Sequence, residues 1–322
     1  MKASAERLRD LSAETGFRPG SLEKVIRLAE LVGSISRHPL LGQALALKGG
    51  TALNLGYGAP PRLSVDIDLN YVASVERETM LRDRPEVERV LERLAARLGY
   101  SIQRSRDDHA ARKLFLRYQN ALGAPDRIEV DLNFLFRLPL GEVVTLTLWQ
   151  PGDLERPQVA VVPAEELIAG KLCALLARAA PRDLFDTIRF PSRLPSIWGT
   201  ARLRGLFVAL SGSLDHPPHR YGPERLDRVD DKAVHTQLHP VLTSTDQPNA
   251  ESLRRDTLRI LVPMLELSAA ERECTDRLQK GELQPALLFP DHPELADRLA
   301  RHPALLWKAK NAREHMTNLR KS

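Results

Sequence analysis

Two short runs in the first half of the chain alternate apolar and polar residues with a period of two. One is Leu63-Ser64-Val65-Asp66-Ile67-Asp68-Leu69, and the other is Arg127-Ile128-Glu129-Val130-Asp131-Leu132-Asn133-Phe134. That period belongs to a strand with one face in the core. In both runs the face away from the core carries acids: Asp66 and Asp68 on the first, Glu129 and Asp131 on the second. The first half of the chain is therefore committed to a sheet that buries one side and presents carboxylates on the other.

The segments around these runs extend the same picture. Lys113 to Tyr118 is a third strand candidate, joined to the second run through a turn at Gly123-Ala124-Pro125-Asp126, and Glu142 to Leu148 is a fourth. Val25, Leu28, Leu31 and Val32 recur at helical spacing and predict a helix from Leu22 to Gly33, capped by Ser21. Pro85 to Leu98 reads as an amphipathic helix with Pro85 at its first position. Pro163 and the acidic pair Glu165-Glu166 open a helix to about Ala180, and Pro181 breaks it or starts the next. From Pro191 to Pro248 loop signals dominate; helical patterns return at Ala250–Leu267, with Pro263 a kink, and near the end. The expectation is an α+β chain, with a mixed-sheet domain over residues 1–190 and a mostly helical domain over 191–322.

Composition narrows the setting. Length of 322 residues with 43% hydrophobic and 28% charged residues suits a globular chain with a sizeable core. No apolar run approaches the ~18 residues of a membrane helix, and the start, Met1 to Asp10, lacks an apolar signal core, so a cytoplasmic protein is expected. Cys173 and Cys274 make neither a disulfide framework nor a zinc site, and Cys173 falls in an apolar helical pattern that suits the core. His216, His219, His235 and His239 lack metal-ligand spacing. A net charge of +5 is compatible with a polyanionic partner. The basic end, Lys308 to Lys321, reads as a solvated helix face.

Three clusters carry chemistry. Asp66 and Asp68, two apart on a strand, point the same way: taken alone the pair reads as an exposed strand face carrying two acids, and beside the other clusters as a cation site, since adjacent carboxylates are costly without one. Asp131 on a neighbouring strand would complete a metal site or help deprotonate an attacking hydroxyl. Upstream, Gly49-Gly50-Thr51 precedes a short helical signal; the glycines permit close backbone approach and a helix start favours phosphate. Downstream, Lys171, Ala174 and Arg178 share a helix face, and Arg182 and Asp186 are four apart with Asp183 between them. This last cluster is either surface ion pairing of little worth or a cationic wall over a triphosphate. Together the parts answer the electrostatic problem of nucleotidyl transfer, in which metal ions, backbone N–H groups and a lysine neutralise the phosphates.

In order and spacing, Gly49-Gly50-Thr51, Arg62-x-Ser64-x-Asp66-Ile67-Asp68-Leu69 and Lys171-x-x-Ala174-x-x-x-Arg178-x-x-x-Arg182-Asp183-x-x-Asp186 resemble the AbiEii/MenT nucleotidyltransferase toxins over about residues 40 to 190. The resemblance implies a polymerase beta-like nucleotidyltransferase domain followed by a helical one. It implies the toxin half of a toxin–antitoxin or phage-defence pair, with a cognate antitoxin. It further implies transfer from a nucleoside triphosphate to an RNA acceptor, the tRNA 3′ end, blocking translation. By the same resemblance Asp66 and Asp68 bind Mg2+; no family motif fixes the third acid, for which Asp131 is the candidate from its strand pattern alone. Lys171 contacts the triphosphate and Asp186 is the second essential acid. Gly49, Gly50, Thr51 and Ser64 line the phosphate site, and Arg62, Arg178, Arg182 and Asp183 are further nucleotide-binding candidates. Ser64 holds the position at which an antitoxin-dependent phosphate would occupy the substrate's phosphate site. Arg62, Lys113, Arg117, Arg178 and Arg182 are the candidate RNA-facing cations. Two other readings stand beside this one: the same transfer to a protein or small-molecule hydroxyl, and a nucleotide-binding interaction module without turnover.

Overall fold

The computed structural model describes residues 3–106 and 110–319. Arg320 and Lys321 of the basic end, and Met1 and Lys2 of the start, lie outside the described residues. The chain divides into two compact units, Met1–Pro163 with Leu238–Gln247, and Ala164–Gln237 with Pro248–Ser322.

The first unit is built on seven strands: β1 (Leu45–Lys48), β2 (Ile67–Tyr71), β3 (Ser101–Arg104), β4 (Ala111–Gln119), β5 (Pro125–Asn133), β6 (Val144–Thr147) and β7 (Gln158–Val161). They form one sheet in the order β3-β4-β5-β2-β1-β7-β6. The β2/β5 and β1/β7 pairs are parallel and the others antiparallel, so the sheet is mixed, as expected. Leu47, Leu69 and Leu132 stand side by side across β1, β2 and β5 and are buried, which marks the apolar face.

Three local expectations change. The second helix spans Pro19–Arg37, with Pro19 in its first turn and Arg18 at the N-cap. Ser21 lies inside it, and its hydroxyl donates to the Pro240 carbonyl at 2.6 Å instead of capping; proline's fixed φ starts the helix earlier. The helix expected from Pro85 spans Arg77–Arg97, with Pro85 in its interior. Its first half is held by tertiary contacts that offset the missing N–H bond: Met80 is buried, Tyr71 donates to Asp83 at 2.7 Å, and Arg84 lies 4.6 Å from the Phe134 ring centroid. Strand β2 begins at Ile67 rather than Leu63, so Asp68 is on the strand and Asp66 just precedes it. Upstream of it, the Leu63 N–H is taken by the Val241 carbonyl at 2.8 Å, outside the sheet.

Every regular element described in the second unit is helical. The helix Ala164–Arg178 packs on the helix Ala201–Ser211, and Pro181–Thr187 packs on Ala250–Leu265, which contains Pro263. Arg204 clamps Glu271 through two bonds of 2.7 and 3.0 Å, and Glu271 closes a capping box with Ser268. Cys173 is buried and its thiol pushed up to about 12, so it is an inert core residue. Among the described residues, no helix is long and apolar enough to cross a membrane.

Candidate active site

The polar face of the sheet carries a line of four charges. Lys48 on β1 is opposite Asp68 on β2, Asp68 is opposite Asp131 on β5, and Asp131 is opposite Lys113 on β4. Residues in register project from the same face, so the sequence of charges across four strands is plus, minus, minus, plus. Two carboxylates side by side repel. Burial and then Asp68 push the Asp131 carboxyl above its ordinary range, against the pull of Lys113. The Lys113 ammonium lies 3.3 Å from Asp131 Oδ2 and 3.3 Å from Glu129 Oε2. Burial alone would loosen its proton, but Asp131 and Glu129 hold it more firmly than usual.

Strand β1 runs directly into the helix Gly49–Leu55. Gly49 has φ +71, and a Cβ there would collide with Asp68 Oδ2, so the carboxylate rests against the glycine backbone. Thr51 is fully buried, and its hydroxyl oxygen lies 2.5 Å from the Asp66 carbonyl oxygen and 3.0 Å from Ser64 Oγ. A carbonyl only accepts, so the Thr51 proton goes to Asp66 and Ser64 donates to Thr51. Asn54 donates to the Gly50 carbonyl at 2.9 Å. Thr51, Ser64 and the Asp66 carbonyl are thus hydrogen-bonded together, Asn54 ties down Gly50, and the Asp68 carboxylate packs against Gly49. Arg62 is 2% exposed and donates to the Leu63 carbonyl, so it is not part of any exposed cationic face.

Among the described residues, no three His, Cys, Asp or Glu side chains converge as a ready metal centre. Magnesium does not require that: it keeps several waters and takes one or two carboxylates, with substrate phosphates supplying the rest. Asp68 and Asp131 provide such a pair of hard oxygen donors. Asn70, two residues along from Asp68, is buried, and its Oδ1 has no hydrogen-bond partner. An orphaned buried oxygen two residues along the strand from Asp68 suits a bound water, and with the two hard oxygen donors the residues present fit magnesium.

The second unit holds the downstream motif. Lys171 is buried, and its ammonium lies 3.0 Å from Asp183 Oδ1 and 3.0 Å from Asp186 Oδ2. Arg178 donates to both oxygens of Asp183, at 2.7 and 3.0 Å. The turn that brings the acids back to the lysine uses Ala179 at φ 49, after which Pro181 starts the helix Pro181–Thr187. Asp183 is wholly buried; burial would raise its carboxyl pKa, but Lys171 and Arg178 outweigh that and hold it below the ordinary range. Lys171, Asp183 and Asp186 are a buried ion network, and Arg178, itself 64% exposed, reaches Asp183 from the surface. Arg182 is half-buried in the same helix. Arg193 joins the group electrostatically: burial lowers its pKa, with Asp186 opposing and Arg189 adding to the effect. Sequence reasoning assigned no role to Lys48 or Arg193. Adjacency to the glycine pair marks Lys48; nothing in the motif spacing marks Arg193.

A family model described as nucleotidyl transferase AbiEii toxin, type IV TA system, matches residues 34–198, just over half of the chain. Among solved structures, MenT4, a nucleotidyltransferase toxin from Mycobacterium tuberculosis H37Rv, is similar with a TM-score of 0.56. The match has 22% identity and covers 91% of this chain and 98% of that one, a likeness of fold. No curated protein matches the chain.

Proposed function

The chain belongs to the AbiEii nucleotidyltransferase toxin family of type IV toxin–antitoxin systems, and on that premise we propose that it transfers a nucleotidyl group from a nucleoside triphosphate to the 3′ end of tRNA. The observation that carries the reading is the line Lys48–Asp68–Asp131–Lys113, with the Asp68 carboxylate against Gly49. Asp68 and Asp131, with Asp66 before them, hold Mg2+, which when bound neutralises triphosphate charge. Gly49, Gly50, Thr51 and Ser64 shape the phosphate site. Lys171, oriented by Asp183 and Asp186, supplies positive charge for the triphosphate, supported by Arg178 and Arg182. Residues 1–190 make up the catalytic region and 191–322 a helical region attached to it.

The RNA reading is supported by Arg117 and Arg127, which sit opposite each other on the same polar face as Lys113. Backbone phosphates are the chemistry that such cations recognise. Type IV membership implies an antitoxin. If that antitoxin phosphorylates Ser64, it acts on a hydroxyl that is 5% exposed and already bonded to Thr51, so the modification needs this segment to open.

Purified protein, Mg2+, each labelled nucleoside triphosphate and total tRNA test the proposal, with Asp68→Ala as control. Label at tRNA 3′ ends with the wild type and none with the variant is expected. Label appearing only on protein or on a small-molecule hydroxyl would replace the RNA acceptor. Magnesium-dependent binding of the triphosphate without any transfer would leave a non-catalytic module.

A further inference from the structure

One lysine on the polar face has two acceptors, and only one of them is a candidate metal ligand. Lys113 Nζ is equidistant from Asp131 Oδ2 and Glu129 Oε2, at 3.3 Å each. Glu129 is itself fixed: Arg127 holds its other oxygen at 2.8 Å, and the Arg127 guanidinium lies 5.1 Å from the Phe115 ring centroid. Lys113 and Asp131 are 40% and 41% exposed, so the ammonium can move on its flexible stem. In the structure that ammonium is the one cation within ion-pair distance of Asp131 among the described residues.

We propose that Lys113 is a positioning residue that occupies Asp131 as a built-in counter-ion until a divalent cation arrives, and that Glu129 is the acceptor onto which it then withdraws. The proposal rests on the reading of Asp68 and Asp131 as the magnesium site. Its logic is charge balance. Without a metal, two adjacent carboxylates need a cation, and Lys113 supplies one from the next strand. With a metal, an ammonium left on Asp131 would repel it and block an oxygen. Glu129 lowers the cost of the exchange because the lysine keeps an ion pair throughout. No proton or covalent bond changes hands; two cations compete for one carboxylate.

The test is binding of manganese(II) to the full-length protein without nucleotide, read by electron paramagnetic resonance. Partly exposed ion pairs of this kind are worth up to about 1 kcal/mol, or roughly fivefold in affinity. Lys113→Met should therefore tighten manganese binding about threefold to fivefold, while Lys113→Arg, which keeps the charge, should bind as the wild type does. Glu129→Gln should weaken binding by a similar factor, because the lysine is left with Asp131 alone. In the Lys113→Met background the same Glu129→Gln change should have little effect. Equal weakening in both backgrounds would mean that Glu129 acts only as a distant charge and would overturn its role. Unchanged or weaker binding in Lys113→Met would overturn the role of Lys113. Asp68→Ala and Asp131→Asn serve as a separate check: if neither loses manganese, the magnesium reading itself fails, whatever Lys113 does.

Discussion

At the scale of single residues, Asp183 combines a proposed role beside the triphosphate with a structural one. It accepts from Lys171 and twice from Arg178 while wholly buried. Lys171 is shared by two buried acids, Asp183 and Asp186, and breaking a buried ion pair costs about 3–5 kcal/mol. Lys171→Ala should therefore lower the urea midpoint as well as abolish transfer, and activity loss in that variant is interpretable only beside an unfolding curve. The sign of the pH effect follows from the lowered carboxyl of Asp183. Its stabilisation is fully present above the ordinary value of 3.8 and is lost as pH falls through the lower folded value. Urea midpoints measured from pH 5 downward should fall, and Asp183→Asn should flatten that part of the profile. A profile of unchanged steepness in Asp183→Asn would assign acid sensitivity to other groups.

At the scale of elements, the strand-to-helix junction at Gly49 sets the position of Asp68. The left-handed φ of Gly49 and the absence of a Cβ are both used there. Gly49→Ala carries a backbone penalty of roughly 1–3 kcal/mol and pushes the Asp68 carboxylate away. Transfer should drop by more than tenfold, with a smaller loss for Gly50→Ala, whose φ is not left-handed; equal losses would mean that the left-handed turn at Gly49 does not set the Asp68 carboxylate. The same junction shows what a sequence can disclose. β4, β5 and the helix Ala164–Arg178 are long and strongly patterned, so their type is readable from periodicity alone. β1, β3 and β7 have four residues each and no flanking alternation like that around β6, and they exist because neighbours complete their ladders. Ser21 misleads because Pro19, two residues earlier, already starts the helix, and Pro85 because the contacts of Tyr71 and Phe134 that hold the helix before it come from other elements. The acids of the site were legible as a motif, whereas the registry that sets Lys48 and Lys113 beside them is a property of pairing between strands.

At the scale of the whole molecule, the first unit is discontinuous. It takes back residues 238–247 after the chain has already entered the second unit. That returning segment supplies the Val241 carbonyl to Leu63, the Pro240 carbonyl to Ser21 and the Ser244 N–H to the Gly16 carbonyl. Leu63 directly precedes Ser64 in the segment that leads to Asp66 and Asp68. Replacing residues 238–247 by a glycine–serine linker of the same length should loosen that lead-in and reduce transfer, which the tRNA labelling assay would read; undiminished transfer would make the segment dispensable. The order of synthesis gives this arrangement a meaning in time. Chains grow at roughly 5–20 residues per second, so a ribosome that has finished Pro163 needs several more seconds to deliver Val241. Over that interval the nascent polypeptide has its carboxylates but not the strap that fixes the approach to them. A chain that ends before Val241 would thus carry Asp66, Asp68 and Asp131 without the segment that ties down Leu63.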